Sequence, residues 1–247
     1  MRNIKAIIQY DGKDYCGFQR QSKQGSPSIQ ETLEKLLSQA FHEKITVYSA
    51  GRTDSGVHAL GQVINFYTKS NIPLEKIVPV LNHRLPEDIV FSKVEEVPLE
   101  FHARKCALGK YYQYHIYNGQ QPTAIGRRYY YWVAQTLDEE LLRRGAKLLE
   151  GTHDFRSFCA KGTSVKTFVR TLYYIRVERQ DDWWTLHFYG NGFLRHMVRI
   201  ITGTLIDVAL KRRSLEGISI ALDGKDRKLA GKTAPPQGLV LKSVYYP

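Results

Sequence analysis

The sequence predicts an α+β protein, in which helices cover one face of a mixed, largely antiparallel sheet. Runs with strand alternation and runs with helical periodicity follow one another along the 247 residues. No low-complexity segment or long linker interrupts them. The order of elements in the first hundred residues recurs in kind, without visible sequence repetition, in the remainder. We therefore predict two α+β halves, residues 1–104 and residues 105–247.

The first half opens with a strand and a capped helix. The apolar run Ile4–Tyr10 predicts a strand that ends at Asp11-Gly12. Ser28 and Glu31 have the spacing of a capping box, which marks the start of a helix. The apolar stripe of this helix consists of Ile29, Leu33, Leu36, Leu37 and Ala40.

The rest of the first half predicts two strands, a second helix and a further strand. In order, these are Ile45–Ser49, Gln62–Tyr67, a helix from Pro73 to about Leu85, and the alternating Val90, Ser92 and Val94. Because proline lacks a backbone N–H, Pro79 is expected to kink or divide that helix.

The second half begins with a predicted strand that starts at Cys106. Gln121-Pro122 ends this run. Its even positions share one face: Leu108, Lys110, Tyr112, Tyr114 and Ile116. A helix is predicted over Leu137–Glu150, with Gly151 as its C-terminal cap. The residues expected on its buried side are Leu141, Leu142, Leu148 and Leu149.

A hairpin and a long helix complete the second half. Asp181-Asp182 predicts the turn between two alternating strands. The side chains expected to face the sheet partners are Thr171, Tyr173, Ile175 and Val177, then Trp184, Leu186 and Phe188. Phe193–Lys211 predicts a helix, from which Arg195 and Arg199, four residues apart, are expected to project together.

The charge of the chain favours a polyanionic partner. Lys and Arg number 36 against 24 Asp and Glu, which gives a formal net charge of +12. Such a field attracts nucleic acid, although solubility alone would also explain it. Candidate phosphate contacts are Arg20, Lys23, Lys105, Lys110, Arg127, Arg128, Lys161 and Lys166. For any single one of them, an ordinary solvated surface charge is the better interpretation.

The cysteines indicate neither a disulfide framework nor a zinc site. Cys16, Cys106 and Cys159 are widely spaced and odd in number. The N terminus resembles a strand rather than a signal peptide, and no apolar run approaches the roughly 20 residues of a membrane span. We expect a cytoplasmic protein.

The segment Ala50–Val63 is the most informative of the chain, because it combines three glycines with Arg52, Asp54 and His58. A tightly turning backbone of this kind can approach a ligand closely. From pattern alone, a site is no better supported than a polar turn in which Asp54 caps backbone amides and pairs with Arg52. For His58, a structural hydrogen-bonding role is favoured over that of a general base or metal ligand, because no second His lies at ligand spacing.

The string Gly-Arg-Thr-Asp-x-Gly-Val-His-Ala at residues 51–59 resembles the signature of the TruA family of tRNA pseudouridine synthases. The resemblance extends along most of the chain. It includes Tyr10-Asp11-Gly12, Gly17-Phe18-Gln19, Phe101-His102-Ala103-Arg104, Lys110-x-Tyr112-x-Tyr114, Gly151-Thr152-His153-Asp154-Phe155, Asn191-x-Phe193, Met197-Val198-Arg199, Lys225-Asp226-Arg227 and Gly238-Leu239.

This resemblance implies a fold, an assembly and a substrate. The fold is that of two α+β halves joined into one sheet, with a cleft between them. A homodimer without cofactor or metal is also implied, acting on uridines of the tRNA anticodon arm at positions 38, 39 and 40.

The resemblance also implies residue roles. Asp54 matches the catalytic carboxylate, Tyr112 the active-site tyrosine and Arg199 the arginine of the Met-Val-Arg helix. Arg52 matches the residue that accompanies base extrusion. Arg195 stands where related sequences often carry His or Tyr, so its expected role in substrate binding departs from the family pattern.

The expected reaction breaks the N1 glycosidic bond of uridine and joins C5 of the uracil to the same sugar carbon. Asp54 could add to C6, attack C1′ or abstract a sugar proton on a glycal path, and the sequence leaves all three open. We expect Arg199 to orient Asp54 and keep it ionised. Tyr112 would stack on the extruded uracil and relay a proton, whereas Tyr114 is expected to pack in the core.

Two other classes of function fit some of these features. A glycosylase would also use an Asp and an extruded base, but would release free uracil. A non-catalytic RNA-binding module would explain the charge and the aromatic residues, but would leave the Gly-Arg-Thr-Asp loop without a task.

Overall fold

A computed structural model describes residues 1–21, 25–163 and 165–247. Its strands are β1 (Arg2–Tyr10), β2 (Tyr48–Ser49), β3 (His58–Thr68), β4 (Ile89–Val97), β5 (Gly109–Tyr117), β6 (Tyr131–Trp132), β7 (Gly151–Asp154), β8 (Val169–Gln180), β9 (Trp183–Gly190) and β10 (Leu239–Tyr245). Its α-helices are α1 (Ile29–Phe41), α2 (Leu74–Asn82), α3 (Glu139–Leu148), α4 (Met197–Ala209) and α5 (Glu216–Gly224). In the described part of the chain, no helix is long and apolar enough to cross a membrane.

The chain divides into two compact units. The first comprises Met1–Leu108 together with Val240–Pro247, and the second is Gly109–Leu239. The first junction lies four residues after the division that we predicted at residue 104. The C-terminal residues belong to the first unit because β10 pairs with β3 in parallel, through Val240 with His58 and Leu241 with Ala59.

The first unit contains strands in the order β4-β1-β3-β10, with β2 paired to β3. All of these pairings are antiparallel except that of β3 with β10. Helix α1 begins where predicted, since Ser28 Oγ accepts a hydrogen bond from Glu31 N at 3.1 Å. Its predicted apolar stripe is buried. On the sheet side, the rings of Phe41 and Phe66 lie 5.6 Å apart.

The opposite face of this sheet carries a second, smaller core. Ala50, Val63 and Ala103 are its buried residues. Partly buried side chains that pack against them are Ile7, Phe101, Val244 and Tyr246. Strand β3 is therefore covered on both faces, and its burial pattern shows almost no exposed position.

Three boundaries in the first unit differ from the prediction. Only Tyr48–Ser49 of the predicted strand Ile45–Ser49 is paired. Strand β3 starts at His58 rather than Gln62, because Ala59 pairs with Tyr10 of β1 and Leu241 of β10. Helix α2 contains Pro79 and ends at Asn82, before the predicted end at about Leu85.

The second unit contains strands in the order β5-β9-β8-β7, with β6 added in parallel to β5. The remaining pairings are antiparallel. The predicted alternation of β5 is confirmed at Tyr112, Tyr114 and Ile116, which are buried. The strand starts at Gly109 rather than Cys106, however, and Leu108 is exposed. The predicted hairpin is also confirmed, as β8 and β9 flank a turn at Asp181-Asp182. The α+β class and the mixed, largely antiparallel pairing hold in both units.

A β-bulge changes which residues of β8 face the core. The register with β9 shifts between Leu172 and Tyr174. As a result Leu172 is buried with Ile175 and Val177, whereas Tyr173, predicted on the buried face, is 51% exposed.

The end of α3 also differs from the prediction. The helix ends at Leu148, which is exposed, and Leu149 is the capping residue. Gly151 is not the cap but the first residue of β7, where its φ of 101° suits glycine.

The predicted helix Phe193–Lys211 begins four residues later than expected. Helix α4 starts at Met197, after His196 in the left-handed region with φ 61°. Arg195 therefore lies in the preceding turn, outside the helix. The expectation that Arg195 and Arg199 project from one helical face was wrong. His196, which lies between them, has the left-handed backbone conformation, so only Arg199 belongs to the helix.

Candidate active site

The loop between β2 and β3 carries Arg52 and Asp54 and is anchored at both ends. At its start, Ala50 N donates to Val63 O at 2.8 Å. At its end, a turn is closed by Val57 N donating to Asp54 O at 3.1 Å, with Gly56 at φ 76°. Asp54 is half-buried and Arg52 is exposed. The loop thus holds a carboxylate in a fixed turn with a cation two residues before it.

Two glycine segments from elsewhere in the first unit pack against this loop. Gly12 O accepts from Gly56 N at 3.2 Å, and Phe18 N donates to Thr53 O at 3.0 Å. A Cβ atom on Gly12 would lie 2.0 Å from Val57 O. The motifs Tyr10-Asp11-Gly12 and Gly17-Phe18-Gln19 therefore have a structural reason, since only a glycine backbone can approach the loop so closely.

A buried polar group lies beneath the loop. Tyr10 Oη and Thr53 Oγ1 are 2.8 Å apart, and Gln62 Nε2 donates to Gly51 O at 2.8 Å. Burial raises the pKa of Tyr10 to about 12. Sequence reasoning did not assign a role to Tyr10 or Gln62, although both lie in segments that it singled out.

His58 is a buried residue at the start of β3, with 6% exposure. Its Nδ1 atom lies 3.2 Å from Gly12 N and 2.9 Å from Asp11 Oδ1. Nδ1 accepts from Gly12 N when it carries no hydrogen and donates to Asp11 Oδ1 when it carries one. These contacts support the structural interpretation of His58, because they hold the Asp11-Gly12 turn beside the loop.

In the second unit, Tyr112 lies on β5 opposite Phe188 of β9. Its ring meets Phe193 edge-on, with centroids 5.0 Å apart and an interplanar angle of 76°. Tyr114 is fully buried, and its hydroxyl donates to Pro235 O at 2.7 Å. Burial raises the pKa of Tyr114 well above its usual range, against the opposing charge of Arg199. The expectation that Tyr114 packs in the core is confirmed.

Arg199 lies in the first turn of α4 and holds a neighbouring segment. Its Nε donates to Ala234 O at 2.8 Å, and its carbonyl accepts from Ala234 N at 3.0 Å. Tyr114 and Arg199 therefore bind two consecutive residues, Ala234 and Pro235. Arg195 is exposed, and its carbonyl accepts from Ala160 N at 3.0 Å.

The candidate residues are thus distributed over both units. Arg52 and Asp54 lie within one loop of the first unit, whereas Tyr112, Arg195 and Arg199 belong to the second. Among the candidate phosphate contacts, Arg20 pairs with Glu34 at 3.2 Å and Lys110 is half-buried. The exposed ones are Lys105, Arg127, Arg128, Lys161 and Lys166. Lys23 lies outside the described residues.

Comparison with known proteins defines the class. The family model described as tRNA pseudouridine synthase matches residues 6–104 and 146–247. The chain belongs to this family of isomerases, which convert uridine to pseudouridine.

Individual relatives resemble the chain over its whole length. The tRNA pseudouridine synthase A of Acetivibrio thermocellus is 45% identical over 246 residues and covers 100% of both chains. The tRNA pseudouridine synthase A 2 of Clostridium tetani is 45% identical over 99% of both chains. The tRNA pseudouridine synthase A of a Geobacillus species is also 45% identical, over 99% of this chain and 98% of its own.

We predict that Gly17→Ala destabilises the first unit. Gly17 has a φ of 109°, and an added Cβ would lie 2.8 Å from Thr53 O in the backbone of the Asp54 loop. Such strain is expected to lower the free energy of unfolding by about 1–3 kcal/mol. Denaturant unfolding measures the change. Gly25→Ala is the matched control, since its Cβ would meet nothing within 4 Å. Equal stability of the two variants would contradict the prediction.

Proposed function

We propose that this chain isomerises uridine to pseudouridine at positions 38, 39 and 40 in the anticodon arm of tRNA, with Asp54 as the essential carboxylate. The observation that carries the proposal is the held loop, in which Asp54 begins a closed turn and backbone contacts come from Gly12 and Phe18. The full-length relatives named tRNA pseudouridine synthase A support the substrate.

The chemistry explains why one carboxylate is enough. The N1–C1′ bond of uridine breaks, the uracil turns and C5 bonds to C1′. The proton leaves C5 and N1 gains one, so the nucleotide is an isomer of its starting form and no redox partner is consumed. Addition to C6, attack on C1′ and a glycal path all begin from an ionised carboxylate held near the sugar.

A fixed loop is useful for such chemistry. Holding a reacting group in place before the substrate arrives removes much of the entropic cost of reaching the transition state. Asp54 is half-buried, so it is partly shielded from water but still reachable by an extruded base. Arg52 is exposed in the same loop. This position fits its proposed role, which is to assist the extrusion of the base from the RNA.

Tyr112 is proposed to stack on the uracil and to relay the proton from C5. The edge-on contact with Phe193 fixes the plane of its ring, as a stacking surface requires. The phenol is a donor and an acceptor, so it can take up and pass on the proton that leaves C5.

Arg199 is proposed to orient Asp54 and to keep it ionised. The bond from Nε to Ala234 O fixes the plane of the guanidinium. A planar and permanently charged group is well suited to bind a carboxylate at a set angle. Arg195, at the exposed turn before α4, is proposed to contact RNA.

The remaining proposals concern the partner and its setting. A net charge of +12 and the exposed cations favour phosphate binding along the tRNA. The resemblance to the family supports a homodimer, a cytoplasmic location and the absence of a cofactor or metal ion from the reaction.

We predict that Asp54→Asn abolishes pseudouridine formation. Loss of an essential catalytic carboxylate should lower kcat at least about 10³-fold. The affinity for tRNA should stay within a few-fold, because phosphate contacts carry most of it. Turnover is measured on an anticodon stem-loop transcript, and binding by filter retention.

The control for this variant is Asp182→Asn, at the exposed turn of the β8–β9 hairpin. It makes the same chemical change in the second unit and should keep full activity. Wild-type turnover by Asp54→Asn would refute the catalytic role. Intact tRNA binding without any turnover by the unaltered protein would favour a binding module. Release of free uracil by the unaltered protein would identify a glycosylase.

We predict that Tyr112→Phe keeps tRNA binding but releases tritium from 5-tritiated uridine at least about 100-fold more slowly. The ring still stacks, whereas the group that relays the proton is lost. Tyr173→Phe, at a residue that is 51% exposed, is the matched control and should behave as the unaltered protein does. Normal tritium release by Tyr112→Phe would remove Tyr112 from the proton relay.

We predict that Arg199→Leu lowers kcat about 100-fold or more, because Asp54 loses a charged orienting partner. Arg199→Lys keeps the charge but not the planar geometry, so its kcat should lie between those of Arg199→Leu and the unaltered protein. Arg212→Leu, an exposed residue after the same helix, is the control. Single-turnover rates at saturating enzyme give the comparison. Equal rates for Arg199→Leu and the control would contradict the orienting role.

A further inference from the structure

Three side chains form a buried hydrogen-bond chain beneath the Asp54 loop. Gln62 Nε2 donates to Gly51 O at 2.8 Å and to Tyr10 Oη at 3.3 Å, and Tyr10 Oη lies 2.8 Å from Thr53 Oγ1. Gln62 is 0% exposed, Tyr10 4% and Thr53 7%. These groups are shielded from water, so their hydrogen bonds must be made within the protein.

The orientation of the Gln62 amide follows from which atoms can donate. The carbonyl of Gly51 only accepts, so the amide nitrogen of Gln62 must face it. The same nitrogen donates to Tyr10 Oη, and between Tyr10 Oη and Thr53 Oγ1 either hydroxyl can be the donor. Burial raises the pKa of Tyr10 to about 12, so its phenol keeps its hydrogen at neutral pH.

The side-chain oxygen of Gln62 shows that this orientation has a cost. Within the described residues, buried Gln62 Oε1 has no hydrogen-bond partner. Turning the amide over would place this oxygen against the carbonyl of Gly51, where both atoms are acceptors. The amide is therefore oriented to serve the loop, although its own acceptor stays unsatisfied.

The chain binds the loop on both sides of Arg52 and immediately before Asp54. Gly51 is bound through its carbonyl and Thr53 through its hydroxyl. Tyr10 and Gln62 come from the paired strands β1 and β3, where the register shifts between Ile8 and Tyr10. The backbone hydrogen bonds of paired strands fix the positions of Tyr10 and Gln62, and their side chains in turn hold the loop.

We propose that Tyr10, acting through Thr53, and Gln62, acting through Gly51 and Tyr10, are positioning residues that hold Asp54 in its reactive geometry. This inference rests on the proposed catalytic role of Asp54. None of the three side chains needs to touch the uridine. Their effect should therefore appear in the rate of the chemical step and not in the affinity for tRNA.

The test compares Tyr10→Phe, Thr53→Val and Gln62→Leu, which remove hydrogen bonds with little change in size. We expect kcat to fall about 10- to 100-fold in each, as for a catalytic group displaced by up to about 1 Å. The Kd for tRNA should stay within about three-fold. Thr53→Ser keeps the hydroxyl and should recover most of the lost rate. Assays are run well below the melting temperature of every variant.

Tyr246→Phe is the matched control. Its hydroxyl donates to Ala103 O at 2.7 Å in the same unit, outside the segment Gly51–Asp54. A purely structural role for the Tyr10 hydroxyl predicts that Tyr10→Phe and Tyr246→Phe lose thermal stability alike and keep the same kcat. That result would overturn the proposal.

A double variant tests whether the residues act as one chain. If Tyr10 works through Thr53, Tyr10→Phe combined with Thr53→Val should be no slower than Thr53→Val alone. If the two losses in kcat multiply instead, the proposal that Tyr10 acts through Thr53 is overturned. Asp54→Asn is assayed in parallel. An inactive Asp54→Asn beside chain variants with normal kcat overturns only this inference, whereas an active Asp54→Asn overturns the catalytic assignment itself.

Discussion

The pairing of β3 is the constraint on which the candidate site of the first unit depends. This strand is bonded to β1 on one side and to β2 and β10 on the other, and both of its faces are covered. It therefore cannot slide or rotate without breaking hydrogen bonds and exposing apolar surface. Because β3 starts at His58, the end of the Asp54 loop is fixed in space. Gly12 and Gly17 then let two other segments close on the loop, so the sheet also determines where the carboxylate lies.

The same structural device occurs in both units. In the first, side chains of β1 and β3 bind the irregular segment Gly51–Thr53. In the second, Tyr114 of β5 and Arg199 of α4 bind the backbone of Ala234 and Pro235. Regular elements are positioned by their own backbone hydrogen bonds, whereas loops are not. Polar side chains of a strand or helix can bond the backbone of a loop. Such bonds let residues outside regular structure keep a defined geometry.

Local patterns predicted much of this structure, but not its contacts between distant residues or its irregularities at single residues. The capped helix α1, the alternation of β5 and the β8–β9 hairpin follow from neighbouring residues, and all were predicted. The parallel pairing of β10 with β3 joins residues far apart along the chain. The bulge after Leu172 and the left-handed His196 before α4 are irregularities at single residues, which a periodic pattern does not show. The same holds at the site. Asp54 is identifiable from its motif, but Tyr10 and Gln62 are separated by 52 residues, and only folding shows that they meet.

The energetics of the Tyr10–Thr53–Gln62 chain favour a functional reason for its presence. A single buried partner left unsatisfied costs about 1–3 kcal/mol, while replacing a whole buried polar group by apolar residues of similar shape is often nearly neutral. An apolar core beneath the loop would avoid the unpartnered oxygen of Gln62, but would remove the hydrogen bond that Gly51 O accepts. Apolar packing does not, however, specify direction. A hydrogen bond restricts distance and angle at once, so the polar chain limits the backbone around Arg52 to one arrangement, which is what a carboxylate needs if it must meet one carbon of one extruded nucleotide.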